Sequence, residues 1–211
     1  MLPFAVFIAI LAASRFAPLP EVAVQALWVI VMAGVLWFSR DAIDFKAPHL
    51  LSSALLGLAV FLIWIGPDAL FPAYRQSWLF QNSVIGYAKS SLGPEARLDP
   101  WVLVLRSVRA VLIVPVVEEL FWRAWLMRWL IHPRFEKVPL GAFTPLSFAI
   151  TAVLFASEHG SFWDVGLVAG ILYNWWMLRT KRLGDCILAH AVTNACLCGY
   201  VIATHHWKYW L

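Results

Sequence analysis

Apolar residues run in long blocks along this chain, and polar ones collect between them. Seven apolar segments stand out, at about 2–17, 21–39, 50–66, 101–131, 142–159, 164–178 and 184–204. They are too long and alternate too little to be the strands of a membrane barrel. Helices are the remaining solution, because a segment in lipid must satisfy its own backbone hydrogen bonds. The pattern predicts an all-α fold: a polytopic membrane helix bundle of about seven to eight transmembrane helices. It reads as one membrane domain over 1–211, with N-terminal spans in 1–66, a polar interval at 67–100 and a core over 101–204.

The fourth block breaks the pattern. At 31 residues a straight helix would reach ~46 Å, against a hydrocarbon core of ~30 Å. Pro115 lacks an N–H and is expected to kink or break it, giving one piece over Trp101–Val114 and a second over Val116–Ile131. Glu118 and Glu119 then fall in the first turn of the second piece, where the helix dipole favours negative charge. The interval 67–100 holds Asp68, Arg75, Gln76, Gln81, Asn82, Lys89, Glu95 and Asp99 among apolar Trp78, Leu79, Phe80, Val84, Ile85 and Tyr87. It reads equally as a piece lying on the membrane surface or as a plain loop.

Composition reinforces the membrane reading. The chain is 62% hydrophobic and 13% charged, where a soluble domain is nearer half apolar and a quarter charged. Several of the 13 tryptophans (Trp101, Trp129, Trp163, Trp207, Trp210) fall near predicted span ends, as in an interfacial aromatic belt. The net charge of +4 belongs to basic loops, and no basic–aromatic array points to nucleic acid. Cys186, Cys196 and Cys198 sit in or beside one apolar segment and read as packing residues. Met1 to Ala13 is apolar without a basic leader, so it reads as a first span rather than a removed signal peptide.

Lys and Arg give the orientation. Alternate loops carry Arg40, Lys46, Arg123, Arg128, Arg134, Lys137, Arg179, Lys181 and Arg182; the opposite side carries Arg15, Arg75, Lys89, Arg97 and Lys208. The excess places the N-terminus inside, in the cytoplasm, and the C-terminus outside.

Three polar clusters interrupt the apolar helices. Glu118-Glu119-Leu120-Phe121-Trp122-Arg123 comes first. Ionisable groups in a span are costly and therefore functional candidates. Glu119 and Arg123 share a face at i, i+4, which suits an ion pair; Glu118, rotated ~100° away, is left without that partner. Phe155-Ala156-Ser157-Glu158-His159 ends the fifth segment. His190 and Asn194, again i, i+4, share a face of the last. Each of the last two has a plain structural reading, an interfacial histidine or a polar contact between helices. An antiparallel hairpin of segments four and five levels Glu118 with His159, but a ruler of 1.5 Å per residue leaves His190 ~10 Å shallower. If the clusters meet, a carboxylate in a poorly hydrated pocket acts as general base toward water, a histidine orients that water, and a His–Asn pair faces the developing oxyanion.

In this order, Glu118-Glu119-x-x-x-Arg123, Phe155-x-x-x-His159 and His190-x-x-x-Asn194 resemble the three motifs of the CPBP intramembrane protease family, which includes the type II CAAX prenyl endopeptidases. The resemblance covers about 101–204. It implies a glutamate-dependent intramembrane endopeptidase: Glu118 and His159 activate water, His190 and Asn194 stabilise the oxyanion, and Glu119, Arg123 and Phe155 support the site. No cofactor is implied. Zinc stays open, since Glu118, His159 and His190 are ligand types, although no HExxH is present. Ala124 stands where relatives often have Gly, a difference expected to touch helix packing. The compact size resembles CAAX-protease-related proteins of bacterial exosortase systems. That resemblance implies a bacterial inner-membrane protein with a membrane-associated peptide or protein substrate, the lipid bilayer and a secretion or exosortase system as partners, and no nucleic acid.

Three competing readings remain: a catalytically silent scaffold or immunity protein, a zinc-dependent membrane peptidase, and a small transporter with Glu118 carrying protons. The complete Glu, His, His, Asn set argues against the first. A transporter predicts repeat symmetry, and the sequence has none.

Overall fold

The computed structural model describes residues 1–14 and 16–210; Arg15, counted above for orientation, lies outside them. Seven helices follow in chain order: α1 Leu2–Ser14, α2 Glu21–Phe38, α3 Leu50–Leu70, α4 Pro100–Trp129, α5 Pro145–Ser157, α6 Trp163–Thr180 and α7 Leu183–Thr204. Among the described residues there is no β-strand, only an isolated bridge between Asn82 and Gly86. The fold is an all-α bundle. By length and composition, α2, α3, α4 and α7 are able to cross a membrane. Helices α1 and α5 are apolar but shorter, at 13 residues each, and α6 carries Asp164, Asn174 and Arg179 among its apolar residues.

Local chemistry sets the helix starts that matter. Asp99 caps α4, its carboxylate accepting from the Trp101 and Val102 amides, with Pro100 in the first turn. Thr144 and Ser147 form a reciprocal capping box on α5 before Pro145 can be extended backwards, satisfying amides that a helix start leaves open.

Pro115 does not divide the fourth segment. The helix runs on through it, and the accommodation is made by π-turns at Arg109–Ile113 and Leu120–Leu126. Wider turns absorb a proline without ending a helix. Glu118 and Glu119 are therefore in mid-helix between two π-turns, and the dipole of a free helix start is not what holds them.

Helix α3 packs along α7, and α5 along α6. Gly57 makes the first pairing close: a Cβ there would run into the Ala189 carbonyl oxygen and the Val192 side chain. At the end where α3 and α7 begin, the buried Asp185 carboxylate accepts from the His49 amide (3.0 Å) and meets His49 Nδ1 (2.8 Å).

Helix α3 extends past residue 66 to Leu70, with Pro67 inside it. From there to Asp99 the chain is irregular apart from a 3₁₀ turn at Tyr74–Gln76, so the loop reading holds for the backbone. The loop is pinned by buried charge. The Arg75 guanidinium donates to Asp164 (2.7 Å), the Ser161 carbonyl (2.6 Å) and Asp68 (3.2 Å). Asp68 also accepts from Tyr209 (2.9 Å) and pairs with Lys208 (3.0 Å). Burial, followed by the Asp164 carboxylate, pushes the Tyr74 phenol up; burial, followed by Asp68, does the same to Tyr209. Both therefore stay protonated donors at neutral pH. This knot ties the 71–99 loop, the turn after α5 and the C-terminal turn into one lid over one end of the bundle.

Arg123 has to leave the orientation count, because its side chain is fully buried inside the bundle.

Candidate active site

Glu119 and Arg123 lie at the centre of the bundle, each with a side chain 0% exposed. Their i, i+4 spacing spans the π-turn, and Arg123 Nη1 donates to Glu119 Oε1 at 3.0 Å. The other two guanidinium nitrogens are also engaged: Nε by Asn174 Oδ1 at 3.0 Å and Nη2 by the Gly170 carbonyl at 3.4 Å. Asn174 in turn donates to the Phe148 carbonyl at 3.0 Å. These bonds help a buried ion pair to be tolerated, although Glu119 Oε2 is itself buried without a hydrogen-bond partner among the described residues. The guanidinium also lies over the Phe155 ring (4.6 Å) and the Tyr173 ring (5.4 Å).

His190 joins the same carboxylate. Its Nδ1 is 2.9 Å from Glu119 Oε1, and since a carboxylate only accepts, Nδ1 donates. The expected depth mismatch does not exist. A ruler laid from the loops assumes level, parallel helices, and tilted helices of a bundle need be neither. Tyr173 stacks on the His190 ring at 5.1 Å. Its hydroxyl is 2.7 Å from Thr193 Oγ1, which also reaches the Gly57 carbonyl at 2.9 Å. The orientation of His190 is thus fixed from two sides, by Glu119 and by the Tyr173–Thr193–Gly57 chain.

His159 sits just past the end of α5. Its Nδ1 is 2.7 Å from the Phe155 carbonyl. That oxygen accepts, so Nδ1 carries the proton and Nε2 keeps its lone pair. Trp64 meets the ring edge-on at 5.1 Å, and the backbone of Gly166 on α6 lies against its other side. A Cβ at Gly166 would stand 3.2 Å from His159 Cγ and Nδ1. One turn on, a Cβ at Gly170 would stand 3.2 Å from the Ala152 oxygen and from Phe155. This small-residue stripe lets α5 and α6 approach. Gly166→Val is expected to push the His159 ring aside and cut turnover by at least about tenfold, an effect typical of sub-ångström misplacement. Kinetics of the purified variant, compared with its thermal midpoint, check this.

Asn194 serves the proline. In the π-turn the Val114 amide bonds to the Arg109 carbonyl five residues back. The next such bond, from 115 to Ala110, cannot form because proline has no N–H. Asn194 Nδ2 donates to that Ala110 oxygen at 2.8 Å. One amide hydrogen of Asn194 is thereby used, and the second remains.

Glu118 stands apart from this network. Its Oε2 is buried and has no hydrogen-bond partner among the described residues. Glu118, His159, His190 and Asn194 line one partly open cavity of about 480 Å³, which is also lined by Trp64, Phe162, Tyr173, Tyr209 and Trp210 and, from the N-terminal helices, by Phe7 and Trp28. Phe155 is a ring hub, in contact with His159 (4.8 Å), His190 (6.1 Å) and Trp122 (6.0 Å). Glu158 also lines the cavity. Among the described residues, no group of three or more His, Cys, Asp or Glu side chains is arranged to hold a metal ion.

The family model for type II CAAX prenyl endopeptidase Rce1-like proteins matches residues 100–196. That stretch, a little under half of the chain, is similar to this protease family. Searches of curated proteins and of solved structures gave no match. The matched Rce1-like stretch begins at the capped start of α4 and ends within α7, so it contains every residue of the three motifs. With its apolar helices, the chain is an integral membrane protein. Several supporting residues were not singled out from the sequence. Asn174 is a lone amide in an apolar helix, and Gly166-x-x-x-Gly170 is a small-residue pair; both were readable signals. Tyr173 and Thr193 carried none, because their role depends on which neighbour they face.

Proposed function

We propose that this Rce1-like chain hydrolyses a peptide bond by direct attack of water, with Glu118 as general base. The observation carrying this reading is the unpartnered, buried Oε2 of Glu118 beside a cavity that it shares with His159. Glu119 Oε2 is likewise unpartnered, but only Glu118 of the two lines the cavity and has no guanidinium bond, so it is the one free to take a proton from water there. His159 keeps Nε2 as an acceptor because Nδ1 is committed to Phe155, so the water between them is held by one base and aimed by the other. Glu118 removes a proton from water, and the hydroxide adds to the amide carbon. The oxyanion is met by the second amide hydrogen of Asn194 and by His190 Nε2–H when that imidazole is protonated against Glu119. The C–N bond then breaks as the proton held by Glu118 passes to the leaving nitrogen, which restores the carboxylate and releases an acid and an amine. Glu119, Arg123 and Phe155 act by positioning His190 and His159.

The substrate is a peptide or protein segment at the membrane. A cavity of about 480 Å³ has room for a few residues of extended chain. The inner loops retain Arg40, Lys46, Arg128, Arg134, Lys137, Arg179, Lys181 and Arg182, which supports a cytoplasmic N-terminus in a bacterial inner membrane. A secretion or exosortase system is the proposed cellular setting.

The test uses the full chain in lipid vesicles with a panel of membrane-anchored peptides in ¹⁸O-labelled water. Cleavage is expected to place one ¹⁸O in the new C-terminal carboxylate. His159→Ala is expected to lower kcat by about a hundredfold, the usual scale for a proton-handling side chain, with KM nearly unchanged. Absence of cleavage by the wild-type chain, or a His159→Ala variant as fast as wild type, refutes the mechanism.

A further inference from the structure

Away from the active-site cavity, a second cleft opens at the same end of the bundle. It is lined by Lys89, Ser90 and Arg97 from the 71–99 loop and by His205, His206 and Lys208 after α7. No carboxylate lines it. Lys208 is balanced by Asp68, but among the described residues neither Lys89 nor Arg97 has an ion-pair partner. His205 and His206 follow the C-terminus of a helix, where a cation is favoured by the dipole. That explanation does not reach Lys89 and Arg97, which are brought to the same cleft from more than a hundred residues earlier. Lys89, Arg97 and Lys208 thus bring three cations to one opening against the single Asp68 carboxylate, and like charges repel one another unless a further anion sits among them.

The surroundings narrow the anion. The Arg97 guanidinium lies 5.9 Å from the Trp207 ring centre, Lys89 Nζ 5.6 Å from Tyr87, and Lys208 Nζ 5.1 Å from Tyr209. Cations laid over Trp and Tyr are the furniture of the lipid headgroup level. The Ser91 amide bonds to the Trp210 carbonyl at 2.9 Å, which holds the two cationic segments together and so preforms the cleft. Three or four donors around one opening suit the several oxygens of a phosphate.

We propose that this cleft is a phosphate-binding site at the membrane surface, taking the headgroup of an anionic phospholipid beside the lid of the active-site cavity. It stands on the charges of the cleft and does not depend on the proteolytic mechanism.

The full chain is reconstituted in nanodiscs of phosphatidylcholine containing phosphatidylglycerol, and bound lipid is counted by native mass spectrometry. Wild type is expected to retain phosphatidylglycerol over phosphatidylcholine. The double variant Lys89→Gln, Arg97→Gln is expected to weaken that retention about thirtyfold, at roughly fivefold per cation near an anionic surface. Removing two cations from the opposite face, Arg134→Gln with Lys137→Gln, is expected to leave it unchanged. A parallel arm titrates inorganic phosphate and reads quenching of tryptophan fluorescence. Saturable phosphate binding lost in the double variant, with no lipid preference, assigns the same site to a soluble phosphate. Wild-type protein with neither a phosphatidylglycerol preference nor saturable phosphate binding overturns the proposal, and so does equal loss in the two double variants. Because the wild-type arm decides by itself, a poorly folded variant does not leave the question open.

Discussion

Glu118→Gln is expected to abolish peptide hydrolysis while leaving the protein as stable as before, or slightly more so. The two halves have one cause. Glu118 Oε2 has no hydrogen-bond partner among the described residues, so exchanging the carboxylate for an amide of the same shape removes no bond from the fold. It does remove a charge from a half-buried site in an apolar helix. The kinetic cost is the loss of the general base, about a thousandfold in kcat on the scale such groups contribute. Turnover measured in vesicles and a thermal unfolding midpoint in the same detergent check both halves. A variant that loses activity together with several degrees of stability would mean that Glu118 is a packing residue.

The second large effect has the opposite signature. Arg123→Met is expected to cost about 3–5 kcal/mol of stability, the penalty for leaving one member of a buried pair unpaired. Glu119 would be left without its guanidinium partner, and Asn174 and the Gly170 carbonyl would lose their donor. The double change Glu119→Leu, Arg123→Met is expected to recover a large part of that stability, because removing both charges removes the imbalance. Activity is not expected to return, since Glu119 also holds His190. Thermal midpoints of the two variants decide the first point; turnover of the double variant decides the second. The contrast with Glu118 separates the two adjacent carboxylates: one is free for chemistry, the other is part of the frame.

Much of this could be read along the chain. The apolar blocks place the seven helices to within a few residues, because the demand that lipid makes on a helix is local and written in consecutive residues. The spacing of Glu119 and Arg123 announces their pair for the same reason: four residues on a helix are neighbours whatever the rest of the fold does. The motif order that links Glu118, His159, His190 and Asn194 is likewise a property of the string.

Only the tertiary structure decided what those side chains touch. Pro115 predicts a disturbance, but whether it breaks the helix or is absorbed depends on a partner for the Ala110 carbonyl, and that partner, Asn194, comes from another helix. His190 reaches Glu119 because α7 packs against α4, a distance no ruler along one helix contains. The proton on His159 is placed by the Phe155 carbonyl at a helix end whose following turn is held by the buried Arg75 of the 71–99 loop. Periodicity along a helix fixes which residues share a face. Which faces meet, and at what depth, is set by packing between segments far apart in sequence, and that information exists only once they are folded together.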